Sequence, residues 1–216
     1  MVDEKKLLLL RHGQTDWNVA FKYQGSMDIP LNETGELQAE KTADRLNEWV
    51  PDVCLVSPLL RAFRTAEIVS ERWQGGPELS VMDDLREISF GAWEGMSVGE
   101  VMDAYSDDYE GWRNDPGSWT PPGGEPFEKV RERAKRVVSR VLSCDAERVM
   151  AVTHGGLIRA IVASLFSLPD SSVWRFRLDN CAMVGVSFWR GSPSLMFFND
   201  SLHQVVEVGT KLPLSF

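Results

Sequence analysis

Arg11, His12 and Gly13 follow directly on four consecutive leucines at positions 7–10. A short continuous apolar run reads as a buried strand of a parallel sheet. The Arg-His-Gly then sits where the strand ends, which is where open α/β sheets bind ligands. Arg11 is a permanent cation with a planar fork of donors. Its charge biases His12 towards the neutral imidazole, which keeps a lone pair for attack. Gly13 has no Cβ and lets backbone or ligand come close. Three more groups fall at comparable places: Arg61, Glu87 and His154. Together these types suit phosphoryl transfer. Two arginines can clamp phosphate oxygens through charge-assisted bonds. His154 can donate to the same oxygens as charge builds in the transition state. Glu87 can give a proton to a leaving alkoxide and later take one from water. For RHG alone, a buried strand-end histidine beside a solvating arginine is an equal reading. The other three groups tip the balance. There is no P-loop pattern and no Cys/His spacing that suits zinc, so neither metal nor cofactor is expected.

The elements that must hold these groups follow from periodicity. Residues 13–32 read as a long polar loop with turn residues at Gly25, Pro30 and Asn32. Thr34 predicts a helix cap over 35–49, with Leu37, Ala43, Leu46 and Val50 on the inner face. Residues 52–56 are a second buried strand. Ser57-Pro58 predicts the start of a helix over 59–73, with Arg61 in its first turn. Residues 79–82 are a short strand, just ahead of Glu87. Residues 91–124 change character, being rich in Gly, Pro, acids and aromatics. They predict a cap of small helices, with a Ser97/Glu100 capping box. Its aromatics are expected to pack the cap onto the body rather than line a pocket. Residues 127–142 form an amphipathic helix whose basic side chains read as a solvated face. Residues 148–153 are a strand leading into an apolar helix after His154-Gly155-Gly156. Residues 181–189 and 195–199 read as closing strands, with an apolar tail after His203. The expectation is one α/β domain over 1–216: a doubly wound, mainly parallel sheet flanked by helices, with a cap insertion at about 91–124.

The motifs resemble the histidine phosphatase superfamily, in the branch that includes the cofactor-dependent phosphoglycerate mutases. They are Arg11-His12-Gly13-Gln14-Thr15 with Asn18, Ser57-Pro-Leu-Leu-Arg61-Ala-Phe-Arg-Thr65, Leu85-Arg-Glu87 with Phe90-Gly91, and Thr153-His154-Gly155-Gly156. They occur in the family's order across nearly the whole chain. The resemblance implies a phosphohistidine on His12, a phosphate pocket of Arg11, Arg61 and His154, and Glu87 as proton donor. It further implies supporting contacts from Asn18, the Gly155 backbone and, more distantly, Gln24. His203, after the last strand, reads as a structural or substrate-rim group rather than a ligand of a three-histidine metal site, and it is taken with Asn180 and Asp200 as a candidate substrate contact. Arg64 and Arg86 are expected to form ion pairs away from the site.

A phosphatase fits better than a mutase. The stretch around Glu87 is apolar and acidic, and residues 91–124 carry one basic residue, Arg113. A mutase needs extra basic groups there for a second anion. Pro121-Pro-Gly-Gly-Glu125 also resembles phosphatase members. The expected activity is therefore metal-independent phosphomonoester hydrolysis on a small phosphorylated metabolite. The alternatives are a phosphoglycerate mutase and a non-catalytic phosphate-binding protein. The latter would be expected to lack a histidine or arginine of the set, and all are present.

Composition narrows the partners. The chain has 216 residues, 43% hydrophobic and 25% charged, an ordinary globular balance. Its formal net charge of -9 argues against nucleic-acid and anionic-membrane binding. The three cysteines, an odd number and widely spaced, suit a reducing cytoplasm. The leucine run is too short for a signal peptide or a membrane span. The oligomeric state is open, a homodimer included.

Overall fold

The computed structural model describes residues 4–205. Its centre is β1, Glu4–Arg11, the strand that carries the leucine run. All four leucines are fully buried, alternating between faces: Leu7 and Leu9 join one apolar cluster, Leu8 and Leu10 the other. Alternation is what a pleated strand imposes, and a strand covered on both sides must be apolar throughout. Each leucine contributes roughly 1.5–3 kcal/mol by leaving water.

Five more strands complete the sheet: β2 (Val53–Val56), β3 (Leu79–Val81), β4 (Arg148–Thr153), β5 (Met183–Trp189) and β6 (Ser192–Asp200). The order is β3-β2-β4-β1-β5-β6. The β3–β2, β2–β4 and β4–β1 pairs are parallel, and β5 and β6 add antiparallel pairs at one side. The β5–β6 hairpin turns on Arg190 and Gly191 at φ 48° and 82°. Two positive φ values are what a tight two-residue hairpin turn needs.

Helices cover both faces. On one lie α2 (Glu33–Arg45) and α3 (Leu60–Ser70). On the other lie α6 (Phe127–Ser143) and α7 (Gly155–Leu165). Helix α6 seals its face with Val130, Ala134, Val137 and Val141, spaced three and four apart. After β1 the chain leaves for the α2 face, and after β4 for the α7 face. The carboxyl ends of these adjacent strands form the topological switch point, where a crevice opens.

The cap segment carries α4 (Val98–Ala104) and α5 (Ser106–Asn114). Ser97 and Glu100 form the expected capping box. Trp93 and Trp112 are buried in the α6/α7 cluster, with Tyr105 and Tyr109 packed against it, whereas Trp119 is 44% exposed. The cap is therefore fastened by an aromatic stack, Trp93 and Trp112 lying edge-on with centroids 5.5 Å apart.

Three local expectations are corrected. Asn32, not Thr34, caps α2, its side chain accepting from Gly35 N, and Leu37 on that helix is 58% exposed. The loop over 13–32 contains a one-turn helix, α1 (Asp16–Val19), closed by a Thr15/Asn18 capping box. Ser57 does not cap α3, which begins at Leu60 without a side-chain cap. The apolar tail lies outside the described residues beyond position 205. Among the described residues no helix is long and apolar enough to cross a membrane.

Candidate active site

The loop after β1 is fixed from every side. His12 N donates to Thr153 O at 3.0 Å, extending the β1–β4 pairing beyond the strand. Gly13 N donates to Thr65 Oγ1 at 3.0 Å, and Thr65 Oγ1 donates to Arg61 O at 2.6 Å. Asn180 Nδ2 lies 3.2 Å from both His12 O and Gly13 O and 3.1 Å from Asn18 Oδ1. Gly13 itself is required by space: a Cβ there would lie 2.5 Å from Gly35 O.

His12 is 3% exposed. Its Nδ1 lies 2.6 Å from Gly13 O. A carbonyl can only accept, so Nδ1 carries the proton and Nε2 keeps its lone pair. Burial, together with the Arg61 and Arg11 cations, holds the imidazole well below its ordinary pKa. His154 caps α7 and packs on His12, with ring centroids 5.2 Å apart. Its Nε2 lies 2.8 Å from Ser57 Oγ. Burial, and then Arg61, His12 and Arg11, depress it as well. Both rings are therefore neutral at physiological pH.

The arginines come from different elements. Arg61 is completely buried and gives Nη1 to Met27 O at 2.7 Å and Nη2 to Gly25 O at 2.8 Å. Burial pulls it down to about 10, which leaves it cationic near neutrality. Arg11 gives Nη1 to Leu178 O at 2.6 Å. Both Nε groups are buried without a partner among the described residues, as is Gln24 Oε1. Buried polar groups are nearly always satisfied, and these three belong to side chains that line one cleft.

Glu87 follows a 3₁₀ turn at Asp83–Leu85. Its carboxylate accepts from Gly156 N at 3.1 Å and Leu157 N at 3.2 Å, across the start of α7, and from Ile88 N at 3.0 Å. Arg133 fixes the segment from behind, donating to Asp84 O and Arg86 O at 2.8 Å each and pairing with Glu125 at 2.6 Å. This corrects the expectation that the basic side chains of α6 are merely solvated. Arg133 lies beside Ala134, on the buried flank of the helix. Arg159 of α7 is a second hidden cation, donating to Gly155 O at 2.9 Å and Phe176 O at 2.7 Å.

A cleft of about 150 Å³ is lined by Arg11, His12, Asn18, Gln24, Arg61 and Glu87, together with Lys22, Tyr23, Gly25 and Phe90. Of the residues singled out from sequence, those first six meet there. His154 lies against His12 but does not line the cleft, and Gly155 supports from beneath, a Cβ there lying 3.4 Å from Arg11 Nε. His203 is elsewhere. Its Nε2 meets Thr42 Oγ1 of α2 at 3.1 Å, it is 4% exposed, and burial takes it down to about 4. The geometry therefore does not support a substrate-rim role for His203: its imidazole is packed against α2. Asp200 is likewise paired with Arg45, at 3.2 Å. Arg64 and Arg86 form the expected outlying ion pairs, with Glu36 and Glu67 and with Asp83. Reading the sequence missed the linings Lys22 and Tyr23. It also missed the positioning roles of Ser57, Thr65, Asn180 and Arg133, which hydrogen-bond across elements and leave no periodic signal.

Depressed histidines carry a stability consequence. All three histidines of the chain titrate lower folded than unfolded. Below about pH 6.5 the unfolded chain binds protons that the folded chain refuses. Stability is thus full from about one pH unit above that value and falls on acidification through it. The thermal midpoint should drop steadily between about pH 7.5 and 5.5, before the carboxylates titrate. A flat or rising midpoint across that window would contradict the burial of these rings.

Comparison with known proteins agrees with the geometry. The profile of the histidine phosphatase superfamily (branch 1) matches residues 7–201. Phosphoserine phosphatase 1 of Hydrogenobacter thermophilus is 34% identical over 178 residues, covering 82% of this chain and 83% of that one. The adenosylcobalamin/alpha-ribazole phosphatase of Salmonella typhimurium is 32% identical over 196 residues, covering 90% and 96%. The structure of a mycobacterial glucosyl-3-phosphoglycerate phosphatase complexed with VO3 superposes with a TM-score of 0.83 at 32% identity, covering 90% of this chain and 98% of that one. The chain belongs to the histidine phosphatase superfamily, branch 1, and is a phosphomonoester hydrolase of the histidine phosphatase type.

Proposed function

We propose that the protein hydrolyses a small phosphorylated metabolite through a phosphohistidine on His12, without a metal. The observation that carries this is the 2.6 Å bond between His12 Nδ1 and Gly13 O, in a ring flanked by two arginines. It leaves Nε2 as an unprotonated nucleophile beside a cationic clamp. In the first half-reaction Nε2 attacks phosphorus and the phosphorus–oxygen ester bond breaks. Glu87 delivers its proton to the departing oxygen. In the second, water attacks phosphorus, Glu87 takes a proton from it, and the phosphorus–nitrogen bond breaks. Enzyme and Glu87 return to their starting states, with phosphate and alcohol released.

Arg11 and Arg61 would supply the positive charge that a metal supplies in other phosphoryl-transfer enzymes. Phosphate release from p-nitrophenyl phosphate should therefore survive exhaustive EDTA treatment. Orthovanadate, which readily becomes five-coordinate, should inhibit by occupying the position of the transferring phosphoryl group. Loss of activity on chelation, restored by one added metal, would overturn the metal-independent reading. The named relatives act on phosphoserine, alpha-ribazole phosphate and glucosyl-3-phosphoglycerate, three unlike leaving groups. The family thus sets the reaction and leaves the alcohol to the rim of this cleft.

A further inference from the structure

We propose that Glu94, which lies outside the cleft lining, is the positioning residue of the phosphate clamp and acts on the phosphoryl group through Arg61. This rests on the hydrolase reading above and adds to it the group that seats its arginine.

Arg61 reaches the cleft from α3, but another element sets its direction. Nη1 donates to Met27 O and Nη2 to Gly25 O, at 2.7 and 2.8 Å. A planar fork held by two carbonyls, two residues apart, is fixed in its plane. The clamp is therefore only as well placed as the loop that carries those carbonyls. The same loop brings the Gln24 side chain to the cleft.

The tip of that loop has little hold of its own. Ser26, Met27 and Asp28 are exposed. Met27 N closes a turn onto Gln24 O at 3.0 Å, and Leu60 N donates to Asp28 Oδ1 at 2.7 Å. The remaining tie is Glu94. Its Oε1 accepts from Ser26 N at 3.0 Å and its Oε2 from Ser26 Oγ at 2.8 Å. Ser26 stands between the two residues whose carbonyls hold Arg61. Gly25 is shaped to receive this carboxylate: its φ is 51°, and a Cβ there would collide with it. On the other side Oε1 accepts from Ser89 Oγ at 3.1 Å and Phe90 N at 3.0 Å, two and three residues after Glu87. Bonds to an ionised acceptor are roughly twice as strong as neutral ones. One carboxylate thus braces the arginine's loop against the segment that carries the general acid. Burial disfavours the Arg61 cation, and Glu94 is among the carboxylates whose charge favours it. The test must therefore separate fastening from charge.

Isothermal titration with methylphosphonate reads the clamp without turnover. Glu94→Ala should weaken binding about tenfold, the scale of one charge-assisted bond. Glu94→Gln keeps an acceptor at the Oε1 position and should hold most of the affinity. In an Arg61→Lys background no fork spans the two carbonyls, so Glu94→Ala should cost less than about twofold there. Unchanged binding in Glu94→Ala would overturn the proposal. So would a full loss that persists in the Arg61→Lys background, because the effect would then bypass the arginine. Equal losses in the Gln and Ala variants would replace positioning by a plain charge effect. Should Glu94→Ala fail to fold, Ser26→Ala, at an exposed position, carries the test: about two- to threefold weakening is expected, and none would sink the idea. Turnover is scored separately. Glu94→Ala should raise KM for p-nitrophenyl phosphate and alkyl phosphates alike, whereas a loss confined to alkyl phosphates would make Glu94 the proton donor instead. If the intact protein binds methylphosphonate yet hydrolyses neither ester, the hydrolase reading falls and the clamp stands.

Discussion

His12→Ala should lower turnover by roughly 10⁴–10⁶-fold, the scale on which enzymes lose activity when a covalent nucleophile is removed. The effect is large because the imidazole is engaged twice. Its Nδ1 is held by Gly13 O, which fixes the ring's direction, and its depressed pKa keeps Nε2 unprotonated. His154 lies 5.2 Å away between ring centroids, but its Nε2 meets Ser57 Oγ and it is not part of the cleft lining. The loss should therefore appear in chemistry. Quenching the intact protein in mid-reaction should trap an acid-labile, base-stable phosphate, and the variant should trap none. Phosphonate binding should persist, since Arg61 anchors on Met27 O and Gly25 O without help from His12. A variant that turns over normally would sink the nucleophile assignment. One that fails to bind phosphonate would show that His12 also shapes the pocket.

Much of this arrangement was legible in the sequence because it is built from local signals. The leucine run, the 148–153 strand and the apolar face of α6 obey periodicities that the backbone imposes. Their ends place Arg11, His12 and His154 without further information. Arg61 followed from a helix start and Glu87 from a short strand. Residues with competing uses were not legible. Ser57-Pro58 has the composition of a helix cap, yet Ser57 Oγ is drawn to His154 Nε2 at 2.8 Å. Arg133 sits on a helix that looks solvated, yet carbonyls of the Glu87 segment and Glu125 draw it inward. His203, following the last strand, reads from sequence equally as a structural or a rim group. Burial against Thr42 decided its place, and burial is a tertiary property.

Glu87→Gln should slow phosphohistidine formation from alkyl phosphates by roughly 10²–10⁴-fold, and much less from p-nitrophenyl phosphate. A sugar or serine alkoxide is a strong base and needs a proton as it leaves. A nitrophenolate is weakly basic and departs without one. The carboxylate is well placed for this difference. It lines the cleft beside His12, oriented by Gly156 N, Leu157 N and Ile88 N, while Arg133 holds its backbone. Glutamine keeps the shape but cannot deliver the proton. Its amide must also present an N–H where the carboxylate accepts one, so thermal stability should be measured alongside. The comparison uses the formation step, because Glu87 also serves the water attack that both substrates share. Equal losses for the two ester classes would remove Glu87 as general acid. Glu94 would be a poor replacement because it is not part of the cleft lining; its oxygens accept from Ser26 N, Ser89 Oγ and Phe90 N, at 3.0–3.1 Å. That bonding makes Glu94 a fastening between the cap and the Gly25 loop, and it leaves Glu87 as the carboxylate of the cleft lining.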